Sequence, residues 1–242
     1  MLLHLLEEPL LSLKSAQYAA VMSAGQSTTT LLSLISQARC MLRWFAMQTN
    51  LFDAPFPEGL SYVPDFIEPA EQTHLVKTFR ALPLLEARYK EYTARRRTVS
   101  FGAHYDFTTN RLTESDPVPE FLLPLRQKVS NWLAVPADRF AHALVTEYRP
   151  GTALGWHRDV PEFDIVVGVS LGAPCRMRFR PYPPPRGKAG PHFDFDLEPR
   201  SAYLISGVAR WRWQHSVPAV GALRYSVTFR TFVRRPRPSG KA

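Results

Sequence analysis

Beyond Ala143 the sequence breaks into short β-rich runs separated by Pro, Gly and Asp, a texture that leaves few ways to fold. The runs cover residues 144–148, 165–171, 175–179, 193–197, 202–205 and 224–233. In the third, Cys175, Met177 and Phe179 alternate with Arg176, Arg178 and Arg180, the period of a strand with one face buried and one wet. Many short strands punctuated by turns close into a sandwich, a jelly roll or a barrel. Upstream the periodicity is helical. Ile67-Glu68-Pro69 opens a helix with Leu75, Val76, Phe79 and Leu82 at helical spacing, and Pro117-Val118-Pro119 opens a second with Leu122, Leu125, Val129 and Trp132 on one face. Residues 60–67 read as an entering strand and turn, and 181–192 (PYPPPRGKAGPH) as a long surface loop. The expected class is α+β, mainly β.

The 242 residues suit one domain with appendages, and 45% apolar content supplies a sizeable core. The net charge of +9 suits a polyanionic partner such as nucleic acid, through phosphate contacts and counterion release. Two cysteines, Cys40 and Cys175, make no disulfide framework, which fits a reducing compartment, the cytoplasm. No stretch holds the roughly 20 apolar residues needed to cross a membrane, and a monomer is expected.

Residues 1–46 carry frequent Ser and Thr and no acid after Glu8, a composition that resembles an organelle transit peptide. The simpler reading is an over-extended translation start, with Met47 opening the domain proper. The domain is then 47–233, and 234–242 is a basic tail holding Arg234, Arg235, Arg237 and Lys241. Residues 1–46 lack a sustained amphipathic period, so a chain beginning at Met47 is expected to fold and turn over normally. Its melting temperature and activity check this; insolubility or marked destabilisation would assign the extension to the domain.

The chemistry concentrates in residues 148–159, YRPGTALGWHRD. If His157 and Asp159 lie at a strand end, positions i and i+2 project to one face, where an imidazole and a carboxylate bind one ion. His215, in WRWQHSV, is the best third ligand, since a barrel returns distant strands to one mouth. Two His and one carboxylate leave coordination positions open, as in non-haem Fe(II) oxygenases. Alone the signal is weak, because His-x-Asp recurs by chance. His4, His74, His104, His142 and His192 have no partner at ligand spacing.

A second pattern strengthens it. In residues 224–230, RYSVTFR, a strand puts Arg224, Ser226, Thr228 and Arg230 on one face, and Tyr225, Val227 and Phe229 on the other. The second set is an apolar packing face. The first aims two guanidinium groups at the interior, where they need anionic partners, and a dicarboxylate supplies them bidentately. The blander reading is an edge strand with its arginines outward.

H-x-D, a distal His and R-x-[NS]-x-T-x-R together resemble AlkB-type dioxygenases, which reverse N-alkyl damage in nucleic acid. The resemblance covers residues 60–233 and is densest in 146–159 and 213–232. It implies a double-stranded β-helix, a jelly-roll core preceded by helices, with a nucleotide-recognition lid. It further implies Fe(II) on His157, Asp159 and His215, with O2 and 2-oxoglutarate as co-substrates. Arg224 would pair with the distal carboxylate of 2-oxoglutarate, assisted by the Tyr148 hydroxyl, and Arg230 would sit nearer its chelating end. Thr146 stands where relatives often carry an Asn contacting the co-substrate, and Ser226 replaces an Asn common inside the Arg motif. Pro161 occupies a position where some repair members have a base-contacting Asp; Glu162 and Asp164 are the nearby substitutes.

The implied reaction is oxidative demethylation of bases such as 1-methyladenine and 3-methylcytosine, giving succinate, CO2 and formaldehyde. A base inside a duplex must be flipped out, so single strands should be accepted. Within residues 95–107, RRRTVSFGAHYDF, Arg97 would serve phosphates, and Phe101 and Tyr105 would stack on bases. The competing reading is a basic segment entering a core strand with its aromatics inward. Two other functions stand beside demethylation of DNA or RNA bases: a hydroxylase or demethylase of tRNA, protein or a small molecule, and a non-catalytic nucleic-acid binder. An intact triad with both arginines argues against the last.

Overall fold

A computed structural model describes residues 56–89, 92–106, 109, 111–184 and 192–233. Residues 1–46, the 234–242 tail and most of the 181–192 loop lie outside these. Two antiparallel sheets carry the fold. The major sheet runs β1-β11-β8-β13-β6-β3-β2, with β1 Leu60–Val63, β2 Leu85–Tyr89, β3 Tyr92–Phe101, β6 His142–Tyr148, β8 Phe163–Gly172, β11 Ala202–Ile205 and β13 Arg224–Phe232. The minor sheet runs β10-β9-β12-β7, with β7 Leu154–His157, β9 Cys175–Pro181, β10 Phe193–Leu197 and β12 Trp213–Val217. Strands β4 (Ala103–Asp106) and β5 (Arg111–Glu114) form a separate two-stranded ribbon.

The alternation within each strand decides what it faces. Tyr225, Val227 and Phe229 of β13, with Val145 of β6 and Val167, Val169 and Leu171 of β8, form one buried layer. Helices α1 (Pro69–Arg80) and α2 (Leu123–Leu133) cover that layer with Leu75, Phe79, Leu125 and Val129. α1 starts at Pro69, whose missing N–H costs nothing in a first turn, and ends with Lys77 and Arg80 near the negative end of its dipole. Burying each large apolar side chain here contributes about 1.5–3 kcal/mol. The opposite face of the major sheet (Tyr148, Val166, Tyr203, Ile205) packs against Cys175, Met177, Phe179 and Val217 of the minor sheet. This is a jelly-roll sandwich with helices on one side. The arginines of β13 therefore point between the sheets, and the edge-strand alternative is excluded, since β13 lies between β8 and β6.

Two residues expected at a substrate surface belong to the scaffold instead. Phe101 is buried behind the major sheet, edge-on to Phe121 at 6.3 Å, and so is closed to a base. Arg97 forms a bidentate pair with Glu147, its cross-strand neighbour: Nε and Nη2 each donate at 2.8 Å. Glu147 also accepts from the Tyr225 hydroxyl at 2.9 Å and from Arg149 Nε at 3.0 Å. A guanidinium held bidentately by a carboxylate across the sheet fixes register rather than binding phosphate. Burial alone would raise the Glu147 carboxyl, but the hydrogen bonds from Arg97 and Tyr225 and the Arg97 charge hold it below the usual range.

Glu147→Ala is expected to cost about 1–3 kcal/mol, chiefly by leaving the buried Tyr225 hydroxyl unpaired, since Arg97 and Arg149 keep access to water, read as a shift in the denaturation midpoint. Because the folded pKa is depressed, the wild-type contribution is complete above the unfolded pKa, about 4.3. It is lost as pH falls through the lower folded value, so the wild type and variant should converge in acid.

Candidate active site

β7 and β12 pair so that His157 lies directly across from His215. Between this pair and Leu154↔Val217, β7 holds one residue more than β12, a bulge that re-aims the end of β7. Asp159 follows two residues beyond His157. The imidazole rings sit 4.2 Å apart between centroids, and His215 Nε2 is 3.8 Å from Asp159 Oδ2. One ligand atom from each of the three residues lies within 4.8 Å of the others. His157 Nδ1 is 3.0 Å from the Gly155 carbonyl oxygen, which only accepts, so Nδ1 carries the proton and Nε2 keeps its lone pair for an ion.

The surroundings favour a ligand set. Burial would raise the Asp159 carboxyl, but Arg230, the two histidines and Arg210 hold it well below the carboxylate range. Burial, with the neighbouring His157, takes His215 down to about 3, and burial also lowers His157. Near neutrality the trio is one carboxylate and two neutral imidazoles, the protonation states a metal requires. Arg230 Nε donates to Asp159 Oδ1 at 2.8 Å, while Oδ2 is buried with no partner. A carboxylate oxygen left that way is costly unless a cation takes it.

A second unmet demand lies on the inner face of β13, the face that also carries Arg230. Arg224 is 1% exposed; its Nε donates to Ser170 Oγ at 3.1 Å, and Nη1 is buried without a partner. Tyr148, opposite in register, places its ring 4.9 Å from the guanidinium carbon. Among the described residues no carboxylate pairs with Arg224. Tyr203 lies across from Gly168, where any side chain would overlap its ring, so the glycine makes room for the phenol between the sheets. Burial pushes that phenol upward, and it stays neutral. Thr146 shares the inner face of β6 with Tyr148 and is buried opposite Ser226. Tyr105 lies on β4, half-buried.

Sequence reasoning missed several contributors. Ser170 and Tyr203 complete the Arg224 pocket; the small residues Gly168 and Ser170, alternating with Val167, Val169 and Leu171, were the available signal. Arg210, on α3 (Gly207–Arg212), donates through Nη2 to the carbonyls of Asp159, Val160 and Phe163 at 3.1, 2.7 and 2.9 Å. It pins the segment that carries Asp159, and no local pattern announces it. His142 packs 4.6 Å from Phe163 and sits 3.4 Å from Arg230, although it has no ligand spacing.

A family model described as the 2OG-Fe(II) oxygenase superfamily matches residues 59–230. The chain belongs to this superfamily. Within it the likeness is to AlkB-type proteins. An Alkylated DNA repair protein ALKBH8 homolog of Arabidopsis thaliana is 29% identical over 184 residues, 66% of this chain and 51% of that protein. A tRNA (carboxymethyluridine(34)-5-O)-methyltransferase alkbh8 of Xenopus tropicalis is 23% identical over 167 residues, 66% of this chain and 25% of that protein. The chain thus spans about half or less of these two relatives. The solved structure of OsALKBH1 superposes with a TM-score of 0.56 at 16% identity, covering 74% of this chain and 99% of that one, which supports the jelly-roll fold.

That superfamily uses Fe(II), 2-oxoglutarate and O2, and within it this chain resembles the AlkB-like dioxygenases. The donor set suits these groups. Two imidazoles and a carboxylate with a free buried oxygen suit Fe(II), and a buried guanidinium with an open Nη1 suits a dicarboxylate.

Proposed function

We propose that this dioxygenase removes N-methyl groups from bases in DNA or RNA. The observation that carries the chemistry is a pair of buried, unpartnered polar atoms of opposite sign, Asp159 Oδ2 and Arg224 Nη1. The nucleic-acid substrate is supported by the AlkB-like kinship and the net charge of +9.

In this reading His157, Asp159 and His215 hold Fe(II), and Arg224, with Tyr148 beside it, anchors the distal carboxylate of 2-oxoglutarate. Bound Fe(II), with 2-oxoglutarate and O2, supplies the oxidising power that converts an N-methyl group to N-hydroxymethyl, releasing succinate and CO2. The hydroxymethyl base then gives up formaldehyde, and its nitrogen regains a proton or lone pair. The chain's part is positional. Arg230 keeps Asp159 ionised and fixes one of its oxygens, and Arg210 holds the backbone behind it. Apolar walls from Phe179 and Phe163 limit water around the histidines and Arg230. Tyr105 on the β4–β5 ribbon is the proposed stacking residue, with Phe101 and Arg97 withdrawn from that role.

Product analysis of N-methylated oligonucleotides with Fe(II), ascorbate and 2-oxoglutarate tests the reading, with formaldehyde release expected. Stacking contributes about 1–3 kcal/mol per base, so Tyr105→Ala should lower turnover roughly five- to hundredfold. Pro161 is exposed and offers no carboxylate, so methylated adenine and cytosine should be turned over comparably. Salt-independent binding with no formaldehyde from any methylated oligonucleotide would sink the reading. It would favour the tRNA, protein or small-molecule alternative, of which tRNA has the support of the Xenopus relative's name.

A further inference from the structure

The outer face of the minor sheet has no part in the chemistry above, yet it is built unlike an ordinary solvated face. Arg176, Arg178 and Arg180 project outward from β9 because Cys175, Met177 and Phe179 fill the interior. Arg176 is neutralised by Asp194 and Asp196 on neighbouring β10, at 3.4 and 3.3 Å. Arg178 and Arg180 are not. Each is steadied by a neutral group on β12: Arg178 Nε donates to Ser216 Oγ at 3.1 Å, and Arg180 Nε to Gln214 Oε1 at 2.9 Å. Both guanidinium groups lie against the Trp156 ring, at 5.2 and 4.4 Å from its centroid. Stacking and one hydrogen bond apiece orient the forks; Asp194, across from Arg178, turns its carboxylate to Arg176, and no described carboxylate lies within ion-pair distance of either fork. Nearby in sequence, Arg158 lies 3.7 Å over the exposed Tyr182 ring, again with a neutral partner, the Trp211 carbonyl at 3.2 Å.

Position gives the patch its meaning. Trp156 immediately precedes His157 on β7, so the arginines stack on the outer face of the strand whose next residue turns inward as a candidate metal ligand. Pre-oriented guanidinium forks match phosphate geometry bidentately, and flat aromatic faces between them suit a strand that also carries bases. We propose that this face binds the phosphate backbone of the polynucleotide whose target base enters the site. The proposal rests on the nucleic-acid reading above.

Anisotropy titrations of the full chain with a labelled single strand of about 15 nucleotides, over a range of salt, test it. Arg178→Gln combined with Arg180→Gln should weaken binding at least about tenfold at low salt and flatten the log–log salt slope by about 1.4, two phosphate contacts' worth. Turnover of a methylated mononucleoside should be unchanged. Arg178→Lys with Arg180→Lys keeps both charges and should hold the wild-type slope; a slope as flat as that of the glutamine pair would trace the loss to structure and overturn the proposal. A salt-dependent wild type matched by an unaltered glutamine pair would overturn it alone. A wild type that binds no oligonucleotide would overturn the nucleic-acid reading and this proposal with it. Displacement by polyglutamate as effective as by polyphosphate of equal charge would hand the face to an acidic protein instead.

Discussion

Asp159→Ala is expected to abolish Fe(II)-dependent turnover while leaving a folded protein. Asp159 supplies the hard, charged oxygen of the trio, and two imidazoles alone hold a divalent ion poorly. Losing an outer partner of a metal ligand costs about 10–100-fold; losing the ligand itself should exceed that. Arg230 would then be left without its carboxylate, so a modest drop in melting temperature should accompany the loss. Asp159→Asn separates the two effects, because the amide oxygen still accepts from Arg230 Nε while the charge is gone. Its stability should recover and its activity should not. Full activity in the alanine variant would end the assignment of Asp159 as a ligand, and Fe(II) titration of both variants provides a second readout.

The other large effect belongs to Arg224. Removing one partner of a buried charged pair costs about 3–5 kcal/mol, and each 1.4 kcal/mol is tenfold, so Arg224→Ala should raise the Michaelis constant for 2-oxoglutarate at least about a hundredfold. The free enzyme should respond in the opposite sense. Without co-substrate, Arg224 is a buried guanidinium with an open Nη1, and replacing such a charge by an apolar group of similar size is often neutral or stabilising. Arg224→Met should therefore match or exceed the wild-type melting temperature in the absence of 2-oxoglutarate and gain nothing when it is added. A purely structural arginine would show the reverse, lost stability with an unchanged Michaelis constant, and that result would remove it from the co-substrate site.

The strands legible in the sequence are those with one apolar face against a core. Cys175–Pro181 and Arg224–Phe232 fall within two residues of their expected limits because alternation marks them. β7 and β12, which carry the histidines, set chemistry where a packing residue would stand, in GWHRD and WRWQHSV. The triad was legible by residue type and order, but the pairing of His157 with His215 required the fold. Arg97 and Phe101 went the other way. A basic run followed by aromatics looks like a nucleic-acid surface, yet on a strand residues 97, 99 and 101 share a face. Phe101 and Val99 join the core there, and Arg97 meets Glu147, a partner many residues away that no local pattern reveals.

The place of β13 between β8 and β6 has a consequence for biosynthesis. The last described strand to leave the ribosome fills the middle of the major sheet and brings both Arg224 and the Arg230 that braces Asp159. Until it arrives, β6 and β8 have no shared neighbour, and their facing edges stay open to the wrong partner. At about 5–20 residues per second, that exposure lasts on the order of seconds for every nascent chain. Slow codons or a stall between β8 and β13 should therefore lower the yield of folded protein more than the same delay before β6, with chaperone dependence concentrated in that window.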